Sequence, residues 1–336
     1  MNEQVVLVTG ATGFIGGRLV ERLVLGTDYE VKAMVRRFSG PGLARLARLP
    51  VKLALADLLD PDALIEAARG CDIIVHCAYG RGGDAEHQKE VTVSGTENVL
   101  QAALQANVRK VIYLSSSAVH GRDPKIPVVD ESAPFGNDRD IYSVSKIEAE
   151  NVVWRYHREH SLPMVVFRPT RVYGPYGRMW TVRVAKEIQS GAILVDGGSG
   201  AANLIYIDNL IDALILAMDR DTGDGEAFIL VDDDRLTWKD VFESYAGLVE
   251  DPPPLRTLEE VEAMMRANEQ NGLSDWVVAP LLIIPAMVKY ALRSPGFRNH
   301  LKRVPWLRFV TERLPRHFKD QLKGPRKNLS DAPVDI

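Results

Sequence analysis

Two spacings of apolar residues alternate along the first half of the chain. Short continuous runs of Val, Ile and Leu are typical of strands buried on both faces, and apolar residues recurring every three or four positions are typical of helices. Their alternation predicts an α/β protein with a doubly wound parallel sheet covered by helices on both faces. The predicted strands are residues 5–9, 31–35, 51–56, 73–77, 111–115 and 164–167. The predicted helices are residues 14–25, 43–49, 61–68, 86–106 and 144–160.

The alternation weakens after Arg168, where Pro and Gly become more frequent. A strand pattern at 204–207, a helical pattern at 210–218 and a strand pattern at 227–231 indicate that the chain then returns to the sheet. We therefore predict a main domain and a smaller C-terminal lobe that ends in a basic helical segment. The main domain comprises residues 1–174 and 203–231, and the lobe comprises residues 175–202 and 232–336.

A glycine-rich turn, Gly10-Ala11-Thr12-Gly13-Phe14-Ile15-Gly16, joins the first predicted strand to the first predicted helix. Glycines at this spacing expose backbone amides and a helix N-terminus to an anion, as the pyrophosphate of a dinucleotide requires. The turn alone is a weak signal, because glycines also serve any tight turn. It predicts a dinucleotide site only in combination with further motifs.

A second motif, Tyr142-Ser143-Val144-Ser145-Lys146, follows about 130 residues later. A tyrosine and a lysine four positions apart share one helix face and can work as a proton-transfer pair. On its own such a pair is usually a solvated helix surface. After a glycine-rich turn and a serine-rich strand end, it indicates an enzyme.

Four segments together resemble the extended short-chain dehydrogenases/reductases, the group of nucleotide-sugar epimerases and dehydratases. The resemblance implies a Rossmann fold, a homodimer, and proton transfer between Tyr142 and a substrate hydroxyl while hydride passes to or from a nicotinamide. It also implies that Lys146 assists Tyr142 and that Ser116 is a third catalytic residue. The segments are Gly10-x-x-Gly13-x-x-Gly16, residues 115–121, Tyr142-x-x-x-Lys146 and residues 168–175.

Cofactor choice is predicted from the end of the second strand. An NAD site usually carries an acidic residue about 20 positions beyond the glycine-rich turn, but Arg36 and Arg37 stand there. Because two guanidinium groups suit a 2′-phosphate, we favour NADP(H) over NAD(H), although two solvated arginines beside an NAD site are an alternative. The cofactor contacts implied by the resemblance are Gly10, Thr12, Gly13, Phe14, Ile15, Gly16, Asp57, Leu58, Cys77, Ala78, Tyr79, Tyr142, Lys146, Arg168, Thr170 and Val172.

Two positions depart from the pattern of this family, and two more depart from that of its dehydratases. His120 stands where tyrosine is common, and Thr92 stands where the family often has an asparagine that supports the active-site helix. A dehydratase needs an Asp-Glu pair where this chain has Ser117 and Ala118, so dehydration is disfavoured.

The substrate class stays open at this point. Arg171 and Arg178 favour the diphosphate of a nucleotide-sugar, and with Ser116 and Ser117 they are the predicted substrate contacts. An apolar stretch at 276–292 favours a hydrophobic ketone, such as a sterol-, flavonoid- or lipid-like molecule. The candidates are therefore a nucleotide-sugar epimerase, a ketone reductase and, disfavoured by the complete Ser116, Tyr142 and Lys146 set, a nucleotide sensor without catalysis.

Cysteine content, the N-terminal pattern and the distribution of charge predict the cellular location of this enzyme and its partners. Cys71 and Cys77 lie in or beside one apolar strand pattern without a second Cys/His cluster, so we predict buried thiols and no metal site. The first strand begins without a signal-peptide pattern, which predicts a cytoplasmic enzyme. Residues 289–327 carry a local charge of +10 in a chain of net charge −4, so contact with an anionic membrane surface is as well supported as a set of solvated helices. Nucleic acid is not a predicted partner.

Overall fold

A computed structural model describes residues 4–121, 128–136 and 140–270 of the 336-residue chain. The described residues form two compact units. One unit comprises Met1–Val182 and Ala202–Leu236, and the other comprises Arg183–Ala201 and Thr237–Ile336.

The secondary structure follows the alternation of strands and helices expected from the sequence. Each of the first six strands lies within two residues of its predicted bounds, as is usual for element ends. The strands are β1 (Val5–Thr9), β2 (Glu30–Val35), β3 (Lys52–Leu55), β4 (Ile73–His76), β5 (Lys110–Leu114), β6 (Met164–Pro169), β7 (Arg171–Tyr173), β8 (Ile193–Leu194), β9 (Leu204–Tyr206), β10 (Glu226–Leu230) and β11 (Arg256–Thr257). The helices are α1 (Phe14–Gly26), α2 (Pro41–Leu46), α3 (Pro61–Ala68), α4 (Ala85–Gln105), α5 (Ile141–His160), α6 (Arg183–Gln189), α7 (Ile207–Asp219), α8 (Trp238–Ala246) and α9 (Leu258–Gln270).

The first unit is built on a seven-stranded parallel sheet in the order β10-β6-β5-β4-β1-β2-β3. Strand β1 pairs with β2 on one side and with β4 on the other, so the strand order reverses beside it. In doubly wound sheets ligands bind at the carboxyl ends of the strands next to this reversal. The predicted fold class is confirmed, and the reversal directs attention to the turns that follow β1 and β4.

The core lies in two layers, one on each face of the sheet. Val6 and Val8 face a cluster formed with α1, α2 and α7, whereas Leu7 between them faces a cluster formed with α3, α4 and α5. Successive side chains of a strand point to opposite faces, so a continuous apolar run fills both layers. Helix α5, which carries Tyr142 and Lys146, therefore packs on the second face.

Three helix boundaries differ by three residues from the sequence-based expectation, and one of them is the end of α2 at Leu46 instead of residue 49. Helix α5 begins at Ile141 instead of residue 144, because the Asp140 carboxylate accepts a hydrogen bond from the Ser143 backbone N–H at 3.2 Å and caps the helix. Tyr142 therefore lies in the first turn of α5. Helix α7 begins at Ile207, which was expected to end a strand.

The second unit contains α6, α8, α9 and a short parallel pair of strands, β8 and β11. Helix α8 begins with a capping box: the Thr237 hydroxyl accepts from the Asp240 N–H at 3.2 Å, and the Asp240 carboxylate accepts from the Thr237 N–H at 2.7 Å. In the part of the chain that the structure describes, no helix has the length and apolar character to span a membrane. The expectations for residues 276–292 and 289–327 lie outside the described residues.

Candidate active site

In the turn after β1, the backbone lies close to the backbone that follows β4. Gly10 adopts a φ of +66°, and a Cβ there would lie 2.9 Å from the backbone N of Ala78, directly after β4. A Cβ on Gly16 would lie 2.4 Å from the Gly10 carbonyl oxygen. No side chain caps α1 at Gly13, and its first turn holds no acidic residue. The N-terminus of α1 is therefore open to an anion, which fits the pyrophosphate of a dinucleotide.

A chain of hydrogen bonds joins the ends of β1 and β4 beneath this turn. The Thr9 hydroxyl donates to His76 Nδ1 at 2.7 Å and accepts from the Ala78 N–H at 3.2 Å. Because the Thr96 hydroxyl donates to the Thr92 carbonyl at 2.6 Å, it accepts from His76 Nε2–H at 3.1 Å. Burial lowers the pKa of His76 to about 3, with the nearby charge of Lys146 adding to the effect. His76 is thus a neutral structural residue.

Thr92, which stands where the family often has asparagine, is hydrogen-bonded to the loop after β4. The Thr92 hydroxyl accepts from the Gly80 N–H at 2.9 Å and donates to the Gln88 carbonyl at 2.8 Å. Both of its hydrogen bonds therefore hold backbone, and the threonine ties this loop to α4.

Tyr142, Ser116 and Lys146 come together at the carboxyl end of β5. The Tyr142 ring meets Tyr79 edge-on at a centroid separation of 5.6 Å, and the Ser116 side chain is close enough to lower the pKa of the Tyr142 hydroxyl. Lys146 is 2% exposed and donates from Nζ to the Leu114 carbonyl at 2.7 Å. The strand end and the first two turns of α5 thus place a hydroxyl, a phenol and an amine in one site.

Burial moves the pKa values of the two titrating groups in opposite directions. Although 37% of Tyr142 is exposed, desolvation of its hydroxyl end raises its pKa to about 12, and the hydrogen bond with Ser116 opposes this rise. Desolvation lowers the pKa of Lys146 to about 8, against the opposing influence of Cys77 and Glu150. At neutral pH the site therefore holds a phenol that can donate a proton, beside an ammonium group.

The buried carboxylate of Glu150 holds α5 against the ends of β5 and β6. Glu150, fully buried, accepts from the Ser115 hydroxyl at 2.5 Å, from Trp154 Nε1 at 3.1 Å and from Arg168 Nε at 3.0 Å. These contacts connect α5 to the ends of β5 and β6. Sequence reasoning missed Glu150, although its position four residues after Lys146 on the same helix is a signal that could have found it.

The Arg168 guanidinium belongs to this buried network. Its NH1 group donates to His120 Nε2 at 3.2 Å and to the Glu131 carbonyl at 3.1 Å. His120 is buried, and desolvation lowers its pKa, with the charge of Arg168 as the next cause. The expected cofactor contact of Arg168 stays a prediction, but its side chain already holds the elements of the site together.

The remaining predicted cofactor residues fall into two groups. Arg36 and Arg37 are exposed directly after β2, and no hydrogen bond or ion pair of either side chain occurs among the described residues. Leu58 is buried, and its Cβ would lie 2.8 Å from a Cβ added to Gly95, so its side chain belongs to the core. The residues that surround the turns after β1, β3, β4 and β6 are Thr12, Gly13, Phe14, Ile15, Asp57, Cys77, Ala78, Tyr79, Thr170 and Val172.

The predicted substrate residues are not all in one place. Ser116 and Ser117 follow β5, and Ser116 is close to Tyr142. Arg171 donates to the Ala202 carbonyl at 2.9 Å, and its guanidinium lies 5.5 Å from the centre of the Trp180 ring. Arg178 is exposed in a π-helical turn that ends at Val182. No described contact joins either arginine to Tyr142.

A cavity of about 210 Å³ opens beside the Tyr142 ring. The loop after β4 and the first turns of α4 and α5 line it, and its lining includes Tyr79, Arg81, Gln88, Thr92, Tyr142 and Ser145. Sequence reasoning missed Arg81 and Gln88. The glycines at 80, 82 and 83, directly after a strand that ends beside the reversal of the sheet, are the signal that could have found this loop.

Both cysteines are free thiols. Cys71 is buried and Cys77 half-buried, and burial raises the pKa of Cys71 and brings that of Cys77 to about 12. Among residues 4–121, 128–136 and 140–270, no group of three or more His, Cys, Asp or Glu side chains is arranged to hold a metal ion. The thiols are therefore protonated and inert at neutral pH.

Comparison with known proteins gives matches of two kinds. The model of the NAD dependent epimerase/dehydratase family matches residues 6–230. Cinnamoyl-CoA reductase 1 of Petunia hybrida is 39% identical over 186 residues, which are 51% of this chain and 55% of that protein. UDP-glucose 4-epimerase of Vibrio cholerae is 28% identical over 236 residues, which are 68% of this chain and 70% of that protein. The chain thus spans about half the length of the petunia reductase.

Solved structures share the fold. The crystal structure of UDP-glucuronic acid 4-epimerase from Bacillus cereus in complex with NAD has a TM-score of 0.65 and 24% sequence identity. The similarity covers 76% of this chain and 87% of that chain. This chain therefore shares its fold with that epimerase as well as the family's sequence motifs.

Proposed function

Because the chain belongs to the NAD-dependent epimerase/dehydratase family, we propose that it interconverts a ketone and a secondary alcohol with a nicotinamide cofactor, Tyr142 being the proton donor and acceptor. Membership confirms the resemblance to the extended short-chain dehydrogenases/reductases. The observation that supports the proposal is the convergence of Ser116, Tyr142 and Lys146 at the carboxyl end of β5.

The residues have separate tasks in the direction of reduction. Tyr142 donates its phenolic proton to the substrate carbonyl oxygen, and Ser116 holds that oxygen by a hydrogen bond. The Lys146 ammonium stabilises the phenolate that remains. When bound, the reduced nicotinamide supplies the hydride to the carbonyl carbon. The glycine-rich turn and the open N-terminus of α1 would hold its pyrophosphate.

The protonation state of Tyr142 suits the proton-donation step of a reduction. With its pKa at about 12, the residue is a phenol at neutral pH and can donate at once. Oxidation requires the phenolate, which forms less readily at neutral pH until a cationic cofactor assists. Because the petunia reductase is 39% identical to this chain and the Vibrio cholerae epimerase 28%, we place a ketone reductase first.

The exposed Arg36 and Arg37 support NADP(H) as the cofactor. They stand at the end of β2, where the ribose 2′ position of a bound dinucleotide is read. Neither side chain has a described partner, so both guanidinium groups are available to a 2′-phosphate. Reductases draw on this phosphorylated cofactor when the reduced form is consumed, so NADP(H) fits a reductase.

A nucleotide-sugar epimerase is the second candidate. The match to the Vibrio cholerae epimerase extends over 70% of that protein, which is the observation that favours it. Epimerisation uses the same residues twice, because a hydroxyl carbon is oxidised and then reduced from its other face. The cofactor is then regenerated in each cycle, whereas a reductase consumes it in equal amount with the substrate.

Two measurements test the proposal. Tyr142→Phe should lower turnover at least about 100-fold and leave cofactor affinity unchanged, because it removes the proton and little else. Tyr156→Phe, in the same helix, is the matched control and should be nearly normal. Near-normal turnover of Tyr142→Phe would refute the mechanism. Cofactor stoichiometry, one NADPH for each product or none, separates the reductase from the epimerase.

The substrate-binding unit, the oligomeric state, the location and the membrane contact of the enzyme are also proposals. Substrate binding by the second unit, a homodimer, a cytoplasmic location and peripheral contact of residues 276–327 with an anionic membrane remain predictions of the sequence. Flotation with anionic and neutral liposomes at low and high salt tests the last of these, since electrostatic contact is lost at high salt.

A further inference from the structure

The cavity beside Tyr142 carries one positive charge that the proposed chemistry does not use. Arg81 lines this cavity, and its guanidinium lies 5.9 Å from the centre of the Tyr79 ring, which in turn meets the Tyr142 ring edge-on. A single aromatic ring thus separates the arginine from the proton-transferring tyrosine.

The backbone that carries Arg81 is held on both sides. The Gly80 N–H is bonded to the Thr92 hydroxyl at 2.9 Å, and a Cβ at Gly80 would lie 2.1 Å from the Gln88 carbonyl oxygen. On the other side, Gln88 Nε2 donates to the Gly83 carbonyl at 3.2 Å. The position of Arg81 at the cavity is therefore determined by α4.

The guanidinium has no counter-ion within the described residues. The nearest acidic residue along the chain, Asp84, caps α4 by accepting from the His87 N–H at 2.8 Å. Two other polar side chains of the cavity are engaged with backbone: Ser145 donates to the Ile141 carbonyl at 2.6 Å, and Thr92 bonds both Gly80 and Gln88. The cavity therefore offers an incoming molecule one cation.

We infer that Arg81 is a specificity-determining residue that binds an oxyanion, a carboxylate or phosphate, carried by the substrate near its reacting carbonyl. A guanidinium pairs with either group through two parallel hydrogen bonds, and the Tyr79 ring beneath it limits its orientations. The inference rests on the proposed function, because it takes Tyr142 as the point of reaction. It narrows the substrate to an anionic ketone or alcohol.

Matched pairs of ketones test this assignment. Acetoacetate and 4-oxopentanoate are compared with their methyl esters, and dihydroxyacetone phosphate is compared with dihydroxyacetone. The full-length enzyme with NADPH should give a higher kcat/KM for the anionic member of at least one pair, and the carboxylate and phosphate arms identify which oxyanion it takes. Arg81→Ala should lower that kcat/KM roughly 10- to 100-fold, mainly through KM, and change the neutral member less than about threefold.

Two further variants separate charge from structure. Arg81→Lys should recover part of the preference, since it keeps the charge but not the paired hydrogen bonds. Arg48→Ala, a substitution of another exposed arginine, should leave the preference unchanged. Ligand-observed NMR of the same probes with the NADP⁺-loaded enzyme reports binding independently of turnover, and there too Arg81→Ala should abolish the preference for the anion.

The outcomes distinguish this inference from the proposed function. Equal use of charged and neutral probes, a preference that survives in Arg81→Ala, or failure of every anionic probe both to react and to bind overturns the assignment of Arg81. If neutral ketones are nevertheless reduced in a reaction that Tyr142→Phe abolishes, the proposed function stands. Binding of anions that depends on Arg81, without reduction of any ketone, supports the site and contradicts the reductase.

Discussion

The buried Lys146 ammonium should destabilise the cofactor-free protein. Burial brings its pKa to about 8 from an ordinary value of 10.5, so the charged form costs about 3 kcal/mol in the folded state. Lys146→Met removes that cost but leaves the Leu114 carbonyl without its donor, a loss of about 1 to 1.5 kcal/mol. We therefore expect the variant to be about 1 to 2 kcal/mol more stable at pH 7 and to lose most of its activity.

The gain should depend on pH in one direction. Below pH 8 the lysine is charged in both the folded and the unfolded chain, and the full cost of burial is present. Between about pH 8 and 10.5 the folded protein binds fewer protons than the unfolded chain, so wild-type stability rises relative to the variant. Above this window the lysine is neutral in both states. The advantage of Lys146→Met should therefore disappear.

Urea denaturation of both proteins at pH 7 and pH 10 measures this difference. Lys110→Met is the matched control, because Lys110 is also buried but has a carboxylate partner, Asp224, at 3.0 Å. Its replacement should be destabilising, since the partner is left uncompensated. Loss of stability in Lys146→Met at pH 7, or an equal gain at pH 10, would refute the reasoning.

Three other substitutions have definite expectations. Replacing Arg36 and Arg37 by Ala should weaken NADP(H) binding by about 2 to 4 kcal/mol and barely change NAD(H) binding in calorimetry; equal losses would contradict the assignment. Glu150→Gln should destabilise the protein by about 3 kcal/mol in urea, because it leaves a buried guanidinium without its carboxylate. Gly16→Ala should lower cofactor affinity, as its Cβ would lie 2.4 Å from a backbone oxygen, whereas Gly26→Ala, with no atom within 4 Å, should be neutral or slightly stabilising.

The sequence predicted those features that depend on local spacing. The strands of the sheet follow from runs of buried residues, and the Tyr142 and Lys146 pair follows from one helical turn. The start of α5 was misplaced because its boundary depends on the side chain of Asp140, a cap that the apolar period does not register.

The parts that could not be predicted depend on contacts between distant segments. The predicted cofactor contact of Arg168 stays a prediction, but its buried ion pair with Glu150, 18 positions away, has no signal in the local sequence. Arg81 was overlooked because a lone arginine between glycines has no chemical signature until the fold brings its loop beside Tyr142.

The hydrogen bonds of Glu150 and the position of Arg81 lie in different parts of the site. Its contacts with Ser115, Trp154 and Arg168 all lie within α5 and the ends of β5 and β6, and none involves the loop that carries Arg81. If Arg81 selects the substrate as proposed, its substitution should change substrate preference and leave the Glu150 contacts in place. For protein engineering, this makes Arg81 the position to randomise, with its flanking glycines kept, and the interior around Glu150 the place to leave intact.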